Sequence, residues 1–89
     1  QPLKFNFIIT MAYFDKYGVE FTDDRKTLVK CPKELKGRYE IPDGVQYIGN
    51  CAFEGCRFLE LITISNSVIS IGHGAFAMCK NLEDIYFLS

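Results

Sequence analysis

"IGNCAFEGC" at residues 48–56 and "IGHGAFAMC" at residues 71–79 are two versions of one phrase. The similarity extends outward from both. "IPDGVQYIGNCAFEGCRFLELIT" (41–63) aligns without a gap on "ISNSVISIGHGAFAMCKNLEDIY" (64–86). Identical pairs are Ile41/Ile64, Val45/Val68, Ile48/Ile71, Gly49/Gly72, Ala52/Ala75, Phe53/Phe76, Cys56/Cys79, Leu59/Leu82, Glu60/Glu83 and Ile62/Ile85. All but the glutamate pair are apolar or glycine. A repeat of this length marks stacked supersecondary units, because one unit has too little interior to bury its own apolar face. Laid on a copy of itself, each Ile, Leu and Phe is covered by its counterpart. Each such burial stabilises by roughly 1.5–3 kcal/mol, against about 1–2 kcal/mol of backbone entropy per ordered residue.

Within the unit, "LELITI" (59–64) and "LEDIYF" (82–87) are rich in β-branched and aromatic residues and read as short strands. Alternation then turns Ile62, Ile64, Ile85 and Phe87 inward. "PDG" (42–44) is a turn signal, and "SNS" (65–67) is its weaker counterpart. "VQYIG" and "VISIG" supply a second, shorter extended piece. "NCAFEGC" and "HGAFAMC" read as one or two helical turns, with Asn50 a good N-cap and His73 a poorer one in the same position.

This succession of Ile-Pro, Val, Ile-Gly, Ala-Phe, Cys, Leu and Ile resembles the BspA-like class of leucine-rich repeats; the second copy lacks the proline. The resemblance implies a leucine-rich-repeat solenoid: a strand-dominated α/β fold with short helical or 3-10 turns, preceded by a β-hairpin. On that reading residues 41–89 hold two repeats. Residues 19–40 hold the hairpin insert and the first strand, with "TDDRKT" turning between "VEF" and "LVKCP". "GRYEI" then places Tyr39 in the position of Ile62, and Ile41 in that of Ile64. Residues 1–18 form an N-terminal cap or extension, in which "LKFNFII" alternates as a strand and "MAYFDKYG" reads as a short helix ending at Gly18. Met11 offers an alternative start. The family further implies a protein-interaction role, often at bacterial surfaces, and no catalytic activity.

The totals agree with a folded interaction module. The chain has 89 residues, 48% of them hydrophobic and 24% charged, which is ordinary for one small globular domain. Ten basic residues face eleven acidic ones, so the electrostatic case for nucleic-acid binding is missing. No apolar run is long enough to span a membrane. "FNFIITMAYF" is apolar but lacks the basic n-region and small-residue cleavage site of a signal peptide, as a chain already relieved of its signal would. The compartment is left open between the cell surface or secretion, which the family favours, and the cytoplasm.

Four cysteines, at 31, 51, 56 and 79, are the main chemical candidates. Cys56 and Cys79 share an inward position, which suits small apolar residues carrying inert thiols. Cys51 aligns with Gly74 and lies outside the inward pattern; a Cys31–Cys51 bridge stays open. Cys51, Cys56, His73 and Cys79 are enough ligands for a zinc ion, but their spacing lacks any C-x-x-C pair. His73 has no nucleophile and orienting acid in a recognisable order. Asp23/Asp24 and Glu83/Asp84 read as solvated carboxylates. Lys30, Lys33, Lys36 and Arg38 read as a solvated basic loop without interleaved aromatics. Neither catalytic residues nor a cofactor or metal site is therefore expected.

Function is left to the outward strand positions, which differ between units: Arg38 and Glu40, then Glu60, Leu61 and Thr63, then Glu83, Asp84 and Tyr86. They form a mostly acidic stripe suited to a protein partner, with Tyr86 as its anchor; simple solvation explains the same charges equally well. "NLEDIYFLS" leaves Ile85, Phe87 and Leu88 beside an unpaired edge. This predicts either self-association or membership of a longer array as a structural, self-assembling piece.

Overall fold

The computed structural model describes residues 12–89 and contains eight strands and, among those residues, no helix. The strands are β1 (Tyr13–Phe14), β2 (Glu20–Phe21), β3 (Thr27–Lys30), β4 (Gly37–Glu40), β5 (Tyr47–Ile48), β6 (Leu59–Ile64), β7 (Ser70–Ile71) and β8 (Asp84–Phe87). They form two sheets, ordered β1-β2-β3-β5-β7 and β4-β6-β8. β1, β2 and β3 pair antiparallel. Every other pairing joins equivalent strands of successive units and is parallel.

The register follows the repeat. Tyr39 lies opposite Ile62, and Ile62 opposite Ile85. Leu28, Ile48 and Ile71 form a second row. The Ile41 amide donates to the Thr63 carbonyl at 2.9 Å, carrying the pairing one residue beyond β4. Tyr39, Ile41, Ile48, Phe53, Leu59, Ile62 and Ile64 are all buried. The Phe53 and Phe76 rings stack at 5.1 Å and 19°. Like therefore covers like across the units, as the repeat demands.

The expected helical turns at 50–56 and 73–79 are not formed. An α-helix would direct each amide to the carbonyl four residues back. Here the amides of Ala52, Glu54 and Cys56 bond three residues back, to Gly49, Cys51 and Phe53. Those of Cys51, Phe53 and Gly55 donate across to His73, Ala75 and Ala77 of the next unit. Half of the donors a helix needs are used between units, and the segment becomes a ladder of turns. The ladder needs positive φ at intervals: Gly55 (75°) and Gly74 (65°) supply it freely, whereas Cys51 (57°) and Met78 (61°) adopt it without that freedom.

Three further expectations change. Asn50 is not an N-cap, since its Oδ1 accepts the His73 amide of the next unit at 2.8 Å. The proposed helix in "MAYFDKYG" is replaced, over its described part, by β1 and a tight turn in which the Gly18 amide donates to the Asp15 carbonyl. Ile85 and Phe87 lie on the inward rows but are 38% and 66% exposed, because β8 is the outer strand of its sheet. The strand expected in "LKFNFII" lies outside the described residues.

Candidate functional site

The outward residues of β4, β6 and β8 come together in rows. Register puts Arg38, Leu61 and Asp84 side by side, and Glu40, Thr63 and Tyr86 in the next row. Glu60 and Glu83 flank them, joined through the Glu83 amide and the Glu60 carbonyl at 2.9 Å. Leu61 and Thr63, central in the sheet, are half-buried, while Tyr86 is 54% exposed. The face thus sets four acidic side chains beside one cation and one large aromatic side chain.

Its floor is not flat. An open depression of about 550 Å³ lies over β4 and β6, lined among others by Arg38, Glu40, Leu61, Thr63, Asp43 and Tyr17. Tyr17 forms the wall. Its ring meets Tyr39 edge-on at 5.9 Å, and the Lys16 ammonium lies 5.3 Å from its centroid. The wall is fastened by Asp15. One carboxylate oxygen accepts the Tyr17 and Val19 amides, each at 2.9 Å. The other accepts the Tyr39 hydroxyl at 2.6 Å. Burial, then the bond to Asp15, raises the Tyr39 phenol well above the usual tyrosine range. Tyr17 and Asp43 lie outside the face residues that the repeat predicts, and Asp15 falls in a segment whose sequence reads as a helix. The signal available for the loop is Asp15 with Gly18 three positions on, the residue preference of a type I turn.

The cysteines build a column that the alignment shows only in part. Cys56 Sγ donates to the carbonyls of Cys31 and Pro32 at 3.8 and 3.7 Å. Cys79 Sγ donates to the Phe53 carbonyl at 3.1 Å. Pro32, not Cys31, stands in the first unit at the position of Cys56 and Cys79, since these three carbonyls accept the amides of Leu35, Leu59 and Leu82 in turn; Cys31 lies one residue earlier. All four thiols are free, and Cys31 is not bridged to Cys51. Burial is the main reason that the thiols of Cys31, Cys56 and Cys79 are pushed upward, which favours the inert protonated form. The Cys51 thiol donates to the His73 backbone carbonyl at 3.8 Å. Among the described residues no group of His, Cys, Asp or Glu is disposed to hold a metal ion, and no helix is long and apolar enough to cross a membrane.

The family model described as "BspA type Leucine rich repeat region (6 copies)" matches residues 31–89. No curated protein matches the chain. Among solved structures the chain is similar to a leucine rich cell surface protein from Faecalibacterium prausnitzii A2-165, with 32% sequence identity and a TM-score of 0.68. That similarity covers 88% of this chain and 19% of the other, so the chain spans about a fifth of that protein's solved length.

Proposed function

The chain belongs to the BspA-type leucine-rich repeat family, and from that premise we propose that it is a non-enzymatic protein-binding module of a bacterial surface or secreted protein. Its units continue a solenoid, residues 19–40 lead the chain into the stack, and the β4-β6-β8 face receives the partner. The carrying observation is the registered placement of Arg38, Leu61, Asp84, Glu40, Thr63 and Tyr86 beside the depression walled by Tyr17. The inward positions are accounted for by packing, and these are not. Tyr86 is the anchor expected of such a surface, since aromatic and arginine side chains dominate binding energy at interfaces. The cell-surface description of the F. prausnitzii protein supports the location.

Capture from a bacterial surface extract tests this reading. The wild-type chain, an Arg38→Glu/Tyr86→Ala variant and a Lys26→Gln control serve as baits in parallel. A partner retained by the wild type and the control, and lost by the double variant, supports the face. Identical capture by all three overturns it.

A second reading follows from the exposed apolar residues of the last unit, among them Ile69, Met78, Phe87 and Leu88. On it the chain is a structural, self-assembling segment whose end takes another copy or another unit. Light scattering over a range of concentrations separates the two, because the binding face alone leaves the chain monomeric.

A further inference from the structure

A row of cations crosses the units at the corner where the turn ladder enters the β4-β6-β8 sheet. Lys33 follows Pro32, whose carbonyl accepts the Cys56 thiol. Arg57 follows Cys56, and Lys80 follows Cys79, in the adjoining positions of the next units. All three side chains are exposed. With Glu54, Gly55 and Met78 they line one open cleft of about 380 Å³. The backbone beneath is fixed. The Lys33 ammonium donates to the Glu54 carbonyl at 3.3 Å, the Asn81 amide to the Arg57 carbonyl at 2.7 Å, and the Gly55 amide to the Ala77 carbonyl.

Nothing in the packing calls for this row. Lys33, Arg57 and Lys80 lie in the turns ahead of β4, β6 and β8, and like charges brought together there repel one another. Met78 adds a second departure. It is 69% exposed and holds a positive φ of 61° where the preceding unit has Gly55. The turn ladder sets that φ, since Gly55 holds 75° at the same position; the departure is the exposed thioether side chain where the preceding unit has none.

We propose that Lys33, Arg57 and Lys80 form a binding site for a linear anionic polysaccharide, with one cation per unit meeting one acidic group per sugar. A regular ladder of charge suits a regular polymer, and one pyranose residue is close in length to one strand spacing. The exposed Met78 offers an apolar contact for a sugar ring. The cleft lining holds no aromatic ring, so it lacks the stacking platform that single-stranded nucleic acids use. The chain's net charge of −1 gives no general attraction for polyanions, and Glu40, Glu60, Glu83 and Asp84 repel them from the sheet face. Binding is thus confined to the corner and separate from the proposed protein-binding face.

Heparin, poly-glutamate and oligo-deoxythymidine, titrated against the chain at several salt concentrations, test the site. Heparin is expected to bind with log Kd changing by about two to three per log unit of salt, as for two or three released counterions. The Arg57→Gln/Lys80→Gln variant, which leaves the Lys33 bond to Glu54 in place, is expected to weaken heparin binding at least tenfold. Arg25→Gln/Lys26→Gln removes the same charge elsewhere and is expected to change it less than twofold. Thermal melts of both variants verify the fold, and Arg57→Gln alone carries the test if the pair melts early. Equal weakening by the two variants, no heparin binding, or equally tight binding of poly-glutamate or oligo-deoxythymidine overturns the proposal.

Discussion

The buried thiol of Cys31 and the hydroxyl of Tyr39 make stability depend on alkaline pH. Burial holds both, with Cys56 and Cys79, in their protonated forms. The unfolded chain releases these protons near the ordinary values of 9.0 for cysteine and 10.0 for tyrosine. Below pH 9 both states keep the thiol protons and the stabilisation is complete. Above it the unfolded state binds fewer protons than the folded one, so stability falls as pH rises. Melting temperatures under reductant at pH 7.5, 9 and 10.5 are expected to hold and then decline. Cys31→Ala should lower the whole curve and flatten its alkaline limb; an unchanged limb would contradict the assignment. The Tyr39–Asp15 bond belongs to the same scale. Tyr39→Phe leaves that carboxylate oxygen without its hydroxyl donor, and chemical denaturation is expected to report a loss of about 1–3 kcal/mol.

Two glycines separate space from conformation at the scale of the element. A Cβ on Gly72 would lie 2.5 Å from the Asn50 amide nitrogen and 2.6 Å from the Gly49 carbonyl carbon, where the units touch backbone to backbone. Gly72→Ala is expected to destabilise by about 3 kcal/mol, the upper part of the overpacking range. Gly44 has a φ of 98°, and a Cβ added there would meet nothing within 4 Å, so Gly44→Ala meets only left-handed strain of roughly 1–2 kcal/mol. Met78→Gly reverses that argument: it releases the same strain, partly offset by the freer unfolded glycine. A small rise in melting temperature is expected; a fall would show that the Met78 side chain itself holds the turn. The inward rows are legible in the sequence because stacking demands the same residue type at each level. The turn ladder is not, since seven residues with one cap signal look alike whether their amides bond inside the segment or to the next unit. The Asp15 loop is hidden for a related reason: its partner Tyr39 is remote in sequence. The repeat alignment spans residues 41–86 and leaves Lys33 outside it, which conceals the cation row.

At the scale of the molecule the two ends of the stack differ. At β4 the Asp15–Gly18 loop closes over the strand, with Asp15 bonded to Tyr39 and Tyr17 packed on its ring. At the other end β7 and β8 are the outer strands of their sheets. Ile69, Ile71, Ile85, Phe87 and Leu88 are exposed there at 69%, 41%, 38%, 66% and 48%. An apolar surface beside unpaired strand edges favours association. The loop at β4 obstructs head-to-tail stacking, so wherever no further repeat unit of a longer array covers β8, two copies of this segment are expected to meet end to end across a two-fold axis, with β8 antiparallel to its copy. That arrangement also sets Glu83 and Asp84 of the two copies apart, whereas a parallel pairing would place them together. Sedimentation across a wide concentration range is expected to show a reversible monomer–dimer equilibrium. Phe87→Lys, which sets a cation at the centre of the contact, should shift it to monomer, while Tyr17→Ala should leave it unchanged. A chain that is monomeric at every concentration, or a Phe87→Lys variant that still dimerises, would show that this end is not the contact.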